Sequence, residues 1–319
     1  MYSHAAAIGI DIGRFSLRTA VVRYDGRLLL RESFPLSDVL TKKNIVSSIE
    51  SALWRTRELA ALQNINPIAV GISSPGYIDH ENGMVLGPDH GIRGWKNVPL
   101  ATLIGKSSGL PVYVGNDANL MTVAEHRFGA AKGYSHVVFI ALRNGIGGGI
   151  IINGKLYRGV NDTGGEIGMM IISLPARDND NITSGTLEFF ASAGALVKSY
   201  LAEKGEDGNN AVSLRARNVF DLCLEGDTAA RKAVNENAHF VGVGLANLIS
   251  IFAPEIIVIG GGMAMAGDYY IKEIRNQTFA NLLSYCAKGL KIVPASLGSD
   301  SSVIGAAWYA LTRLDGKRI

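Results

Sequence analysis

Three glycine-bearing turns close apolar stretches of the chain: Asp11-Ile12-Gly13, Gly145-Ile146-Gly147-Gly148-Gly149 and Gly260-Gly261-Gly262. Turns without side chains let backbone N–H groups approach phosphate oxygens, and a carboxylate such as Asp11 can hold a hydrated magnesium ion. A glycine turn also serves simply to reverse a chain, but three at strand ends, one carrying an aspartate, favour phosphate binding. A second constellation is Gly115-Asn116-Asp117-Ala118-Asn119, directly after the apolar stretch Val112 to Val114. A carboxylate where a strand gives way to a helix can accept the proton of a substrate hydroxyl as that oxygen attacks phosphorus. The same place suits a helix cap, and on local grounds alone capping has the stronger claim on Asp117. Glu166 in Gly164-Gly165-Glu166-Ile167-Gly168 and Glu188 in Thr186-Leu187-Glu188 gain interest only in combination, because carboxylates and amides together grip a polyol.

Two other phosphate devices are excluded. Gly105-Lys106-Ser107 ends like a Walker loop, but Leu100 stands where that loop needs glycine. No G-x-G-x-x-G follows a strand to open a helix, so a dinucleotide fold has no support.

The elements that must position these residues repeat. Ala7 to Ile12 and Leu17 to Tyr24 read as strands about a turn, then Asp25-Gly26 signals a hairpin into Arg27 to Arg31. Val137 to Leu142, the Gly145 to Gly149 run, Ile150 to Ile152, and Asn153-Gly154 before Lys155 to Arg158 use the same device again. Two copies suggest two similar lobes facing a cleft, a natural ligand site. Helices are expected over 41–63, 118–128, 188–201, 229–252 and 301–314, and further strands over 68–72, 112–114, 256–259 and 292–294. The alternation argues for α/β architecture.

Composition agrees. With 319 residues, 47% hydrophobic, 18% charged and 38 glycines, the chain suits a buried, turn-rich α/β protein and not a disordered one. A net charge of +3 without a dense basic run calls for no nucleic-acid or membrane partner. Cys223 and Cys286 have no metal-type spacing and read as free thiols in a reducing cytoplasm. The N-terminus lacks the pattern of a signal peptide.

In this order and over nearly the whole chain, the segments resemble the ROK family (repressors, open reading frames and sugar kinases) of the hexokinase–actin superfamily. Ile8 to Gly13 resembles its first phosphate motif, Ser74 to Asp79 and Gly94 to Leu100 its sugar-lobe segments, and Asn116 to Asn119 its catalytic motif. Gly145 to Gly149 resembles the second phosphate loop, Gly164 to Gly168 the Gly-Glu-Ile-Gly signature, and Ile259 to Gly262 the adenosine segment.

The resemblance implies a two-lobed actin/hexokinase-like (ribonuclease H-like) α/β fold with a duplicated strand-rich core and an interlobe cleft. Its smaller lobe would be residues 1–115, completed by the C-terminal helix at about 300–319, and its larger lobe 116–299. The implied activity is ATP-dependent phosphorylation of a hexose or amino-sugar hydroxyl, as in bacterial glucokinase-like enzymes of carbohydrate metabolism. Asp117 would be the general base, with Gly76, Asn116, Glu166 and Glu188 holding sugar. Asp11, Gly13, Gly145, Gly147, Gly148, Gly261 and Gly262 would manage the triphosphate, with magnesium on Asp11 through water. A cytoplasmic homodimer is implied.

The departures are specific. Met169 replaces the histidine that usually follows Gly-Glu-Ile-Gly, and the Asp178 to Thr186 stretch lacks the family's cysteine cluster, so no zinc is expected. Arg14-Phe15 replaces Gly-Thr in the first phosphate turn, and Arg143-Asn144 replaces Gly-Thr in the second. Arginine suits phosphate but its bulk closes a loop that needs close backbone approach, and it would also suit polyphosphate as donor. The alternatives are a decayed sugar-binding regulator or sensor, or an idle structural paralogue. The first strand begins within a few residues of Met1, so no helix-turn-helix module, and no nucleic acid, is expected.

Overall fold

The computed structural model describes residues 4–88, 91–174, 184–206 and 214–316. They fall into two compact units. The first comprises Met1–Phe128, Arg158–Gly164 and Asp300–Ile319, and the second Gly129–Tyr157 and Gly165–Ser299.

The first unit opens with β1 (Ala6–Ile12), β2 (Ser16–Arg23), β3 (Leu28–Pro35) and the short β4 (Leu40–Thr41), followed by α1 (Lys42–Leu62). Thr41 starts α1 by accepting the Asn44 N–H at 3.2 Å, and Ile45, Ile49 and Leu53 recur on its buried face. Next come β5 (Val70–Ser74), β6 (Tyr77–Asp79), β7 (Met84–Gly87), β8 (Ile92–Arg93), α2 (Leu100–Ser108), β9 (Val112–Asn116) and α3 (Asp117–Phe128). The main sheet runs β3-β2-β1-β5-β9, antiparallel from β3 to β1 and parallel from β1 to β9.

The second unit repeats the plan. Its strands are β10 (Val137–Leu142), β11 (Ile146–Ile152), β12 (Lys155–Leu156), β13 (Ile256–Gly260) and β14 (Lys291–Pro294). Its helices are α4 (Leu187–Ala191), α5 (Ala193–Glu203), α6 (Ala216–Glu225), α7 (Thr228–Phe252) and α8 (Asp268–Ala280). The sheet order β12-β11-β10-β13-β14 again has three antiparallel strands followed by parallel neighbours. The repeated hairpin device is therefore a repeat of topology, and the α/β architecture with a duplicated five-stranded core stands as expected. Asn153 and Gly154 both take positive φ (53° and 72°), the conformation that an Asn-Gly hairpin turn requires.

The chain then returns to the first unit as α9 (Ser301–Leu314), which is buried on every face from Ser301 to Thr312. It lies on β1, β5 and α3. Three glycines make that approach possible. A Cβ on Gly9 would fall 1.9 Å from the Val303 carbonyl oxygen, one on Gly71 1.8 Å from that of Ala306, and one on Gly305 2.0 Å from that of Leu120. Phe128 also meets Trp308 edge-on, with centroids 5.9 Å apart. These contacts keep α3 in the first unit, whose first segment runs to Phe128.

The continuous helix expected over 188–201 is two helices. Ser192 is extended (φ −67°, ψ 165°) and its hydroxyl accepts the Ala195 N–H, so one serine ends α4 and caps α5. No helix among the described residues is long and apolar enough to cross a membrane.

Gly71→Ala forces a methyl group into the α9 backbone and is expected to destabilise the protein by about 3 kcal/mol or more, read from its urea midpoint. Gly194→Ala is the control, because its new methyl meets nothing within 4 Å. It is expected to be neutral or stabilising by up to about 1 kcal/mol.

Candidate functional site

In the first unit the C-terminal ends of the parallel strands β1, β5 and β9 carry Asp11, Ser73-Ser74 and Asn116 in register. Such ends are where open α/β sheets place ligands. Asn116 does two jobs. Its Oδ1 accepts the Asn119 N–H at 3.1 Å, and its Nδ2 donates to the Gly76 carbonyl oxygen at 3.2 Å. The cap of α3 is thus Asn116 and not Asp117, which removes the bland explanation of the aspartate. Asp117 is the first residue of α3, half-buried, with Oδ1 accepting the Ala118 N–H at 2.8 Å. Negative charge is favoured at a helix N-terminus.

The tether from Asn116 holds the Ser74-Pro75-Gly76 turn, where Gly76 has φ +94°. Beneath it Trp95, fully buried, donates its indole N–H to Ser74 Oγ at 3.2 Å. The two segments expected to serve the sugar lobe, Ser74 to Asp79 and Gly94 to Leu100, therefore support one another directly.

Asp11 has an environment that its sequence neighbours do not suggest. The β1–β2 register sets it opposite Arg18, whose guanidinium donates to Oδ2 at 2.6 Å, while Ser73 Oγ donates to Oδ1 at 2.9 Å. Arg18 also reaches Ser302 Oγ, in the first turn of α9, at 3.2 Å. Asp11 is 1% exposed and the Arg18 side chain 29%. Both carboxylate oxygens are engaged and the charge is matched. A hydrated magnesium ion at Asp11 would share the carboxylate with Arg18 and Ser73.

Neither Arg18 nor Ser73 was among the expected site residues. The available signal was a lone arginine inside the apolar strand Leu17 to Val22, seven residues after Asp11 across a hairpin. Beside the pair, Gly13 closes the β1–β2 turn with its N–H on the Ser16 carbonyl oxygen at 3.1 Å, and Arg14 and Phe15 project from the tip, exposed.

The second unit gathers the remaining glycines and carboxylates. Glu188 reaches from α4 to the β10–β11 turn, where Oε2 accepts the Ile146 N–H at 2.7 Å. A Cβ on Gly145 would lie 2.7 Å from the same oxygen. Gly148 faces Ile167, whose Cδ1 would be 2.2 Å from an added Cβ, and Gly168 faces the Ile146 carbonyl oxygen at 2.1 Å. Much of the glycine run thus seats the Gly-Glu-Ile-Gly segment on β11, while Gly147 pairs with Ala141 of β10.

Gly261, with φ +88°, packs its Cα against the end of β10, since an added Cβ would fall 2.3 Å from the Leu142 carbonyl oxygen. Gly262 faces open space. These two glycine turns lie side by side at the ends of β10 and β13. Glu166 is exposed and begins a short 3-10 turn, at whose end Met169 is also exposed. Among the described residues no group of three His, Cys, Asp and Glu side chains is arranged to hold a metal. Residues 178–183 of the Asp178 to Thr186 stretch lie outside those described.

The structure therefore joins Asn116 to Gly76, Glu188 to the Gly145 turn, and Gly261 to Leu142. Asn116, Asp117 and Gly76 belong to the first unit, and Glu166 and Glu188 to the second.

The ROK family profile matches residues 7–313. A glucokinase of Halalkalibacterium halodurans is 30% identical over 311 residues, covering 94% of this chain and 93% of that protein. A xylose repressor of Caldicellulosiruptor bescii is 29% identical over 311 residues, covering 93% of this chain and 76% of the repressor. The crystal structure of a ROK family glucokinase from Streptomyces griseus in complex with glucose and AMPPNP superposes with a TM-score of 0.84 at 30% identity, covering 97% of this chain and 100% of that one.

Asn116→Ala removes the α3 cap and the Gly76 tether together, and is expected to lower stability by about 1 kcal/mol in chemical denaturation, with Asn116→Ser recovering most of the loss.

Proposed function

The chain belongs to the ROK family, and from that premise we propose that it transfers the γ-phosphoryl group of ATP to a hydroxyl of a hexose or amino sugar. The observation that carries this reading is the Asn116–Gly76 bond beside Asp117. Asn116 also caps α3 through its Oδ1 in place of the aspartate, which sets a carboxylate next to a polar turn at the ends of parallel strands. Similarity to glucokinases along almost the whole chain supports the same conclusion.

In the proposed step the sugar oxygen forms a bond to the γ-phosphorus as the bond to the β-phosphate oxygen breaks and ADP departs. Asp117 takes the proton of the attacking hydroxyl and passes it to solvent after transfer. Asn116 and the Gly76 turn hold sugar hydroxyls on the first unit. Glu166 and Glu188 do so on the second, where Glu188 also fixes the β10–β11 turn. Gly145, Gly261 and Gly262 let the backbone meet the nucleotide phosphates, and Gly13 shapes the corresponding turn after β1. No step is assigned to a metal on Asp11, where it would share the carboxylate with Arg18.

That pair also favours a second reading, a sugar-binding regulator with an altered phosphate site, and repressors are among the relatives.

The test is a coupled ADP-release assay with ATP, magnesium and a panel of hexoses and amino sugars. Wild-type protein is expected to release ADP only with an accepted sugar. Asp117→Asn is expected to lower that rate about a hundredfold or more while sugar affinity stays within a few fold. Undiminished activity in Asp117→Asn would remove it as the base. No release with any sugar, together with a sugar-dependent rise in melting temperature, would establish the regulator.

A further inference from the structure

The first unit has an open cavity of ≈ 440 Å³, lined from the β1–β2 turn and from the paired strands β4 and β8. Resting on the phosphoryl-transfer reading above, we propose that the sugar this protein takes carries an acidic group, a phosphate or a carboxylate, held in this cavity by Arg14 and Arg93.

The cavity brings together two guanidinium groups that are distant in sequence. Arg14 comes from the tip of the β1–β2 turn, and its Nη1 lies over Gly91, where an added Cβ would be 3.7 Å away. Arg93 follows two residues later, on β8. Both arginines are exposed, and among the described residues neither guanidinium has an ion-pair or side-chain hydrogen-bond partner. Two cations lining one cavity repel each other until an anion neutralises them. The flank is positive too. Thr41 pairs with Arg93, and α1 starts there with Lys42 and Lys43 and no acidic residue in its first turn.

The rest of the lining suits a sugar. Leu40 and Ile92, in register and buried, offer an apolar wall to C–H groups, and Asp38 offers a carboxylate to hydroxyls. Among the described residues none that lines the cavity is aromatic, so a nucleotide base has nothing there to stack on. The cavity also adjoins the site. From Arg93 the chain passes through Gly94 to Trp95, whose indole holds Ser74 beside the Gly76 turn. Arg14 follows Gly13 at the end of β1, which pairs with the strand carrying Ser73.

The probes are a hexose 1-phosphate and a hexuronic acid, each titrated calorimetrically beside its neutral parent hexose into the full chain without nucleotide. The quantity read is the ratio of the two dissociation constants, and the two probes tell a phosphate from a carboxylate. One or both acids are expected to bind wild-type protein about tenfold or more tighter than the parent hexose. Arg14→Gln/Arg93→Gln, which breaks no contact of the fold, is expected to bring that ratio to within about twofold of one. ATP is titrated into the same two proteins. The proposal is overturned by absent binding of both acids, by equal affinity for acid and parent, or by a preference that survives in the double variant. An equal loss for ATP would assign the arginines to the nucleotide and overturn it as well. Neither nucleotide nor turnover enters the sugar titrations. An acid preference without ADP release therefore removes the phosphoryl-transfer reading alone, and ADP release with neutral hexoses without that preference removes this inference alone.

Discussion

The closest constraint in the first unit is backbone laid on backbone. Helix α9 sits so near β1, β5 and α3 that a single methyl at Gly9, Gly71 or Gly305 would overlap a carbonyl oxygen. Well-packed interiors do not yield to intrusions of that size without moving a whole element. The consequences reach the site. The first turn of α9 brings Ser302 to Arg18, and its Gly305 face receives α3, the helix that begins at Asp117. The charged pair and the candidate base thus take their positions from the same helix. This is why the chain sends residues 300–319 back across almost its entire length to complete its first unit.

Glycine has the same structural use in the second unit, and that complicates its meaning in the sequence. A run such as Gly145 to Gly149 signals backbone that something approaches closely, but the sequence does not say whether that is a ligand or another part of the chain. At Gly148 it is Ile167, at Gly168 the Ile146 carbonyl, and at Gly261 the Leu142 carbonyl. Gly262 alone of the Gly260 to Gly262 turn faces open space. Both uses are compatible. Internal packing holds the two turns side by side, and their outer backbone is what a phosphate would meet.

What was legible in the sequence was local. The strand–turn–strand device could be read because Asp25-Gly26 and Asn153-Gly154 carry turn chemistry in two residues, and α1, α7 and α9 because their apolar residues repeat over many turns. Helices α2, α6 and α8 escaped notice: α2 is only nine residues long, and in α8 the buried Tyr270, Ile271, Ile274 and Thr278 are interleaved with charge. The break at Ser192 escaped as well, since a serine inside an apolar periodicity becomes a cap only through its backbone angles. The site residues Asn116, Asp117, Glu166 and Glu188 were visible as types and spacing. The bonds around them were not, because Asn116 meets the Gly76 carbonyl, Trp95 meets Ser74, and Ser73 and Arg18 meet Asp11 only through register and tertiary packing.

Arg18 shows how a strand register gives a motif a partner that its neighbours in sequence do not announce. Asp11-Ile12-Gly13 keeps the residues expected of a metal-linked phosphate turn, yet the hairpin delivers a guanidinium to the carboxylate from seven positions downstream. The pairing has a structural side, because Asp11 is deep enough to need a permanent counter-charge and α9 closes over the pair through Ser302. The same guanidinium thereby ties the end of β1 to the first turn of α9, so the turn after β1 and the closing helix hold their places together.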